Sequence, residues 1–304
     1  QGKELYHSDA IALTTGRSCI GHVLDIETPT RVIVPDYSCY AVYEPMIERG
    51  IDLLYYEVDE QLNPINLPDL RKSDLLLFVN FFGLKNVQAE NLANRLKNRV
   101  LIDDTHRYFH RGYAGSYSFT SARKYFGVPD GAFLYTPERY AVNKHERSTN
   151  IRLDHSALRL CEAQERAFSL FQLHESSLDC QVLRISQVGE QLLRNIDNEE
   201  VMKRRVNNFK FLDSKLRDKN LLHFNPDSFD TPFCYPLLPA KPIDRNQLYK
   251  QNIFVPTYWP DVLDRENSGN TAIDLTNRLL PLPIDHRYSV IDMDRLAKAI
   301  MNLI

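Results

Sequence analysis

Three short stretches in the first half of the chain carry residues whose types and spacing suit one another chemically. The first, Thr14-Thr15-Gly16-Arg17-Ser18, precedes an apolar segment from Cys19 to Leu24 that reads as a helix. Gly and hydroxyl residues at a helix start leave unpaired N–H groups at the positive end of the helix dipole, where a phosphate binds readily. Thr15 or Ser18 would equally serve as an ordinary N-cap. The second, Val100-Leu101-Ile102-Asp103-Asp104-Thr105-His106, is an apolar run that ends in two acids and a histidine. Ligands of parallel α/β sheets sit at the carboxyl ends of strands, so Asp103 is placed to meet one, and its carboxylate can hold a ring nitrogen of a cofactor in its protonated form. A helix cap at Asp103 or Asp104, or a surface metal site of Asp and His, are the plainer alternatives. The third, Tyr117 to Lys124, alternates like a strand and ends in Ser121, Arg123 and Lys124 before the turn Gly127-Val128-Pro129-Asp130-Gly131. A lysine at a strand end, beside Arg123 and partly desolvated, would have a lowered pKa and act as a Schiff-base nucleophile; a solvated lysine on a turn is the bland reading. The order of phosphate-type turn, acid and lysine, each following a strand, matches a single cofactor.

Hydrophobic periodicity supplies the framework for these residues. Arg31–Pro35, Leu53–Val58, Leu75–Asn80, Val100–Asp103 and Tyr117–Ser121 read as strands bounded by Gly, Pro, Asp or Asn, and Ala89–Leu96 has helical spacing between two of them. Alternation of this kind predicts an α/β fold with a mostly parallel sheet between helical layers. From about Ile151 to Leu216 apolar residues recur at three and four, which predicts long helices. Leu221–Phe224, Cys234–Leu238 and Ile253–Val255 then read as short strands and Asp292–Leu303 as a closing helix, giving a smaller α+β unit. The expected division is 1–195 for the larger unit and 196–304 for the smaller.

Composition removes other classes. With 304 residues, 37 Lys and Arg against 40 Asp and Glu, and a net charge of −3, there is no positive field to attract a polyanion, so nucleic acid is not an expected partner. The longest strongly apolar stretch, Leu75 to Val79, falls far short of the roughly 20 residues that span a bilayer, so no membrane segment is expected. Gln1 to His7 lacks the order of a secretory leader, which makes the cytoplasm the expected location. The five cysteines, Cys19, Cys39, Cys161, Cys180 and Cys234, are scattered and unsuited to a zinc site or a disulfide framework. His110, His145 and His155 fall into no metal-ligand spacing, and no metal is expected. Nucleophile-elbow, Walker and dinucleotide fingerprints are absent from the sequence, and the run Lys203-Arg204-Arg205 reads as a solvated helix face.

The chain resembles the fold-type I pyridoxal-phosphate enzymes, and within them the DegT-type sugar aminotransferases. LTTGRSCI (13–20), VPDYSCYAVYEPMIERGI (34–51), VNFFG (79–83), IDDTH (102–106), SARKYFGVPDG (121–131), IFVPTYWP (253–260) and LPLPIDHRYSVIDM (280–293) carry the likeness. The resemblance implies a three-layer sheet fold with a smaller C-terminal domain, pyridoxal 5'-phosphate as cofactor, and Lys124 as the Schiff-base lysine and proton shuttle. It implies Asp103 on the pyridine nitrogen, His106 beside the ring, and Gly16, Arg17, Ser18 and Ser121 around the phosphate. It further implies a homodimer that moves an amino group from an amino acid to a keto group of a nucleotide-linked sugar or similar acceptor, in polysaccharide biosynthesis. Elimination or dehydration on the same cofactor, and a scaffold or regulatory protein without transaminase activity, are the alternatives. Such enzymes place a bulky aromatic on the ring where this chain has Cys39, flanked by Tyr37 and Tyr40. Trp259, His286 and Arg287 are not taken as catalytic, and Trp259 and Tyr288 read as packed core aromatics.

Overall fold

The computed structural model describes residues 3–138, 145–161, 163–225 and 230–304. Five strands form its parallel centre: β2 (Arg31–Pro35), β3 (Asp52–Val58), β5 (Asp74–Val79), β6 (Val100–Asp103) and β7 (Tyr117–Ser121). Every residue of β5, β6 and β7 is buried. A strand covered on both faces needs no polar alternation, which is why β5 and β6 read as apolar runs; β7 keeps an alternating pattern, with its Ser and Thr buried as well. Three strands of this sheet escape the sequence reading: β1 (Ile11–Leu13), β4 (Pro64–Ile65) and β8 (Ala132–Tyr135). β8 runs antiparallel to β7 and to β1, and β4 antiparallel to β3, so the eight-stranded order is β1-β8-β7-β6-β5-β2-β3-β4. The chain departs from β2 toward β3 on one side and β5 on the other. The crevice beyond the carboxyl ends of β2 and β5 is therefore a topological switch point.

Helices α1 (Gly16–Glu27), α2 (Glu44–Glu48) and α3 (Asn86–Leu96) belong to this half. The expected long helices between 151 and 216 are in fact four: α4 (Asp154–Leu160), α5 (Gln164–Ser176), α6 (Gln187–Arg194) and α7 (Asn198–Leu216). Capping explains two of the breaks. Ser186 accepts the Gly189 N–H and Asp197 the Glu200 N–H, so α6 and α7 each start afresh. Val182 and Ile185, which fit the helical spacing, lie in an extended segment alongside β1, where the Thr14 and Ile185 amides bond the Leu183 and Ala12 carbonyls at 3.1 Å. Asp130 of the Gly127–Gly131 turn fixes this segment by accepting the Ser186 amide at 2.7 Å and its hydroxyl at 2.8 Å.

The last third holds β9 (Cys234–Leu237), α8 (Arg245–Tyr249), α9 (Asn270–Arg278), β10 (Leu280–Pro283) and α10 (Val290–Met301). β9 pairs antiparallel with β10, and Phe209, Leu212, Leu216, Met293, Leu296 and Ile300 from α7 and α10 pack with this hairpin in a second core. Leu221–Phe224 is not a strand. Asn220 replaces a ladder there, accepting the Leu222 and Leu238 amides at 3.1 and 2.9 Å and donating to the Pro236 carbonyl. Nor is Ile253–Val255, whose first amide closes the end of α8 on the Leu248 carbonyl. The basic run on α7 is solvated only in part. Lys203 and Arg204 are exposed, but Arg205 is 2 % exposed, its guanidinium 4.5 Å from the Tyr125 ring centre and bonded to the Phe233 carbonyl.

Candidate active site

A cavity of about 160 Å³ opens at the switch point. Most of its wall is the end of a strand or the beginning of the next segment. Val79 closes β5, Asp103 closes β6, Ser121 closes β7, Cys39 comes after β2, and Gly16 and Arg17 open α1 behind β1. Gly16, Arg17, Asp103, His106, Ser121 and Lys124, drawn from three separate sequence segments, all line it.

At the α1 end, Thr15 is the N-cap, and its hydroxyl accepts the Ser18 amide at 3.1 Å. The Gly16 and Arg17 amides precede any intrahelical acceptor and stand at the positive end of a twelve-residue helix. A Cβ on Gly16 would come within 3.1 Å of the Phe119 ring, tighter than an ordinary contact, and glycine leaves this approach open. Ser18 does not line the cavity. It is fully buried, lies within 2.8 Å of the Thr14 hydroxyl and donates to the Gln181 carbonyl at 2.7 Å, which leaves its hydroxyl occupied rather than facing a phosphate. Arg17 lines the wall but ion-pairs with Glu44 at the start of α2.

Asp103 is 7 % exposed, and burial raises its carboxyl to about 6, in spite of hydrogen bonds from Thr105, whose amide lies 2.9 Å from Oδ1. A carboxyl held up by desolvation gains from any cation brought beside it. Asp104, next in sequence, turns the other way and accepts from Asn80 at 2.8 Å and from His110 at 3.1 Å. Neither acid caps a helix. His106 is buried, and its imidazole is driven down to about 3 by desolvation and by the Lys124 charge, so it is neutral. Its Nδ1 accepts the Phe82 amide at 3.2 Å, which leaves the proton on Nε2. The VNFFG segment builds this contact. Phe82 and Gly83 both take left-handed backbone, and a Cβ on Gly83 would meet the His106 carbonyl at 2.6 Å, so the last position requires glycine.

Lys124 ends a one-turn helix, Ala122–Lys124, directly after β7. It is exposed at the cavity wall rather than partly desolvated, and Arg123 turns from it to an ion pair with Glu175 of α5. Tyr125 anchors the turn by donating to the His106 carbonyl at 2.7 Å. Sequence reasoning missed Thr105, Glu175 and above all Trp259. The single tryptophan does not pack as a plain core residue: it lines the cavity with its backbone in the left-handed region and meets Tyr37 edge-on at 4.5 Å. Its place in the segment IFVPTYWP was the available signal. Tyr288 is exposed. Cys39 also lines the cavity, and its thiol is raised, by burial first.

The donor set suits a phosphorylated nitrogen heterocycle bearing an aldehyde. Unpaired amides at the start of α1 with the Ser121 hydroxyl suit a phosphate, the lifted Asp103 carboxyl suits a ring N–H⁺, and the Lys124 amine suits a carbonyl carbon. Among the described residues, no cluster of three or more His, Cys, Asp or Glu side chains is arranged to hold a metal ion, and no helix is long and apolar enough to cross a membrane.

The sequence matches no protein-family model and no curated protein. Solved structures resemble it over nearly its whole length. DesV of S. venezuelae, determined in complex with a ketimine intermediate, is 18% identical with a TM-score of 0.69, covering 99% of this chain and 89% of its own. A DegT DnrJ EryC1 StrS aminotransferase from Brucella abortus is 17% identical with a TM-score of 0.64, covering 96% and 85%. The E. coli GDP-4-keto-6-deoxy-D-mannose-3-dehydratase, solved with bound hydrated pyridoxal phosphate, is 14% identical with a TM-score of 0.64, covering 95% and 87%. The chain has the fold of these enzymes.

Proposed function

We propose that this chain is a pyridoxal-phosphate-dependent aminotransferase, acting on an amino-acid donor and a keto sugar or similar small keto acceptor, as a cytoplasmic homodimer. The observation that carries the reading is the convergence of the Lys124 amine, the raised Asp103 carboxyl and the open start of α1 on one cavity. Gly16, Arg17 and Ser121 would hold the phosphate. Asp103 would keep the ring nitrogen protonated, and a positive ring beside it would offset its own desolvation. The neutral His106, with its proton fixed on Nε2, forms a flat wall and does not compete for the substrate's proton. Lys124 would hold the aldehyde and, when released, move a proton at the substrate's α-carbon. When bound, the cofactor supplies an electron sink for the pair left by that proton.

The known activities of the structural neighbours favour this class, and the dehydratase among them keeps dehydration on the same cofactor as the second reading. An absorbance scan decides for or against the cofactor. Purified protein mixed with pyridoxal phosphate is expected to show a visible band that borohydride abolishes and that Lys124→Ala lacks. A wild-type protein without such a band refutes the proposal; product analysis with a keto sugar then separates amination from loss of water.

A further inference from the structure

Arg123 sits next to Lys124 on the same one-turn helix, and both line the cavity. Its hydrogen-bonded acceptor is the Glu175 carboxylate, from the last turn of α5. We propose that Arg123 is the anchor for the carboxylate of the amino-acid donor, and that Glu175 occupies this anchor until the donor arrives. This rests on the aminotransferase reading.

The argument begins with the substrate's own connectivity. An α-amino acid carries its carboxylate on the same carbon as its amino group, so the residue that grips the carboxylate must stand beside the residue that works on that carbon. Arg123 lines the same cavity as Lys124, one residue before it on the same turn. A phosphate on a nucleotide-linked acceptor lies many bonds from the keto carbon and would be met farther from the lysine. The guanidinium is suited to the task, since it is always charged and offers a planar fork that a carboxylate fills with two bonds. Glu175 already places one carboxylate oxygen on the guanidinium.

Glu175 is also an easily displaced occupant. Its side chain is 38% exposed, against 16% for Arg123, and exposed ion pairs contribute little to stability. It stands at the C-terminal end of α5, where the helix dipole repels a negative charge. The helices α4 and α5 pack chiefly on each other; Leu160, Phe168 and Leu173 on them are exposed, and His155, Ala167 and His174 supply the buried contacts that oppose a shift of this hairpin when the ion pair opens. The other arginine of the cavity, Arg17, is paired with Glu44 at the start of α1, which suits a phosphate.

The test uses full-length protein loaded with pyridoxal phosphate and titrated with α-aminoisobutyrate, an amino acid without an α-hydrogen, following the shift of the visible band. The same titration with the corresponding amide and competition by uridine diphosphate complete it. Arg123→Gln is expected to weaken α-aminoisobutyrate by about 10- to 100-fold, the loss of one charge-assisted bond, and to leave the amide and uridine diphosphate unchanged; Arg123→Lys should recover part of the loss. Glu175→Gln should tighten α-aminoisobutyrate by about 2- to 5-fold. Deuterium uptake in 164–176 should rise on adding α-aminoisobutyrate to the wild type, and not on adding the amide. An unchanged Kd in Arg123→Gln, or an equal loss for the amide or for uridine diphosphate, overturns the anchor while the visible band leaves the proposed function standing. Absence of the band removes both. If Arg123→Gln does not fold, failure of Glu175→Gln to tighten binding overturns the proposal by itself.

Discussion

Replacing Asp103 by asparagine removes a charge that the fold holds at a cost. Burial at the end of β6 raises this carboxyl from 3.8 to about 6, outweighing the hydrogen bonds from Thr105 and the attraction of Lys124. A folded-state pKa above the unfolded value means that the native protein binds this proton more tightly. Stability therefore falls as pH rises through that interval; the penalty is absent below the lower value and complete above the upper one. Two pKa units at about 1.4 kcal/mol each set the penalty near 3 kcal/mol. Asparagine preserves the shape and keeps an oxygen to accept the Thr105 amide. In the absence of cofactor, Asp103→Asn is expected to exceed the wild type in stability by about 3 kcal/mol at about pH 8 and to match it at about pH 3. Urea denaturation of both proteins across that range, extrapolated to water, measures the difference directly. A variant no more stable than the wild type at the higher pH, or one displaced equally at both ends, would refute the reasoning. The same variant should hold pyridoxal phosphate less tightly, because an amide cannot keep a ring nitrogen protonated. A gain in stability with a loss in cofactor affinity is what a binding carboxylate, as opposed to a structural one, should show.

Further outcomes are expected elsewhere in the molecule. Gly16→Ala brings a methyl group to 3.1 Å from Phe119 at the start of α1; it should fold and lose about 10-fold in affinity for pyridoxal phosphate, with far less effect on unphosphorylated pyridoxal, in parallel equilibrium titrations. Trp259, the only tryptophan, lines the cavity, so cofactor binding should quench the protein's fluorescence, and emission that stays constant while the visible band appears would contradict that placement. Arg205→Ala should cost about 3 kcal/mol in urea denaturation, whereas Arg205→Met should recover most of it. The side chain is buried with its nearest carboxylate, Asp285, 3.9 Å away, so filling the volume matters more than keeping the charge.

The parallel centre was legible because burial on both faces writes itself into sequence as unbroken apolar runs; β5, with all six residues buried, is the plainest case. β10 was not legible, since Pro281 and Pro283 alternate along it and prolines argue against a strand unless it lies at an edge, as this one does in its two-stranded sheet. The break between α5 and α6 was hidden for a different reason: Val182 and Ile185 keep helical spacing, and the pairing of their segment with β1 decides against the helix. At the site, residues standing at strand ends could be read from local pattern, as Asp103 and Lys124 were. The ion pairs of Arg17 with Glu44 and of Arg123 with Glu175 join distant segments, and nothing in either segment announces the other. Arg205 shows the same limit, because its run of basic residues carries no mark that one of them turns inward onto Tyr125.

His106 lies parallel to Phe82 on one hand and Phe233 on the other, each within 4° and with centres 5.5 and 4.5 Å away, while Tyr258 and Trp259 lie within 20° of the same plane. Flat faces laid together in this way accept sideways sliding at small cost and resist being tipped, because contact survives the first displacement and is lost in the second. Phe233, Tyr258 and Trp259 come from the last third of the chain, whereas Phe82 and His106 lie just beyond β5 and β6. The two parts of the chain thus meet through parallel rings at His106, while Tyr37 and Phe81 hold Trp259 edge-on, so the floor beside Asp103 and the wall carrying Trp259 are fixed in orientation together.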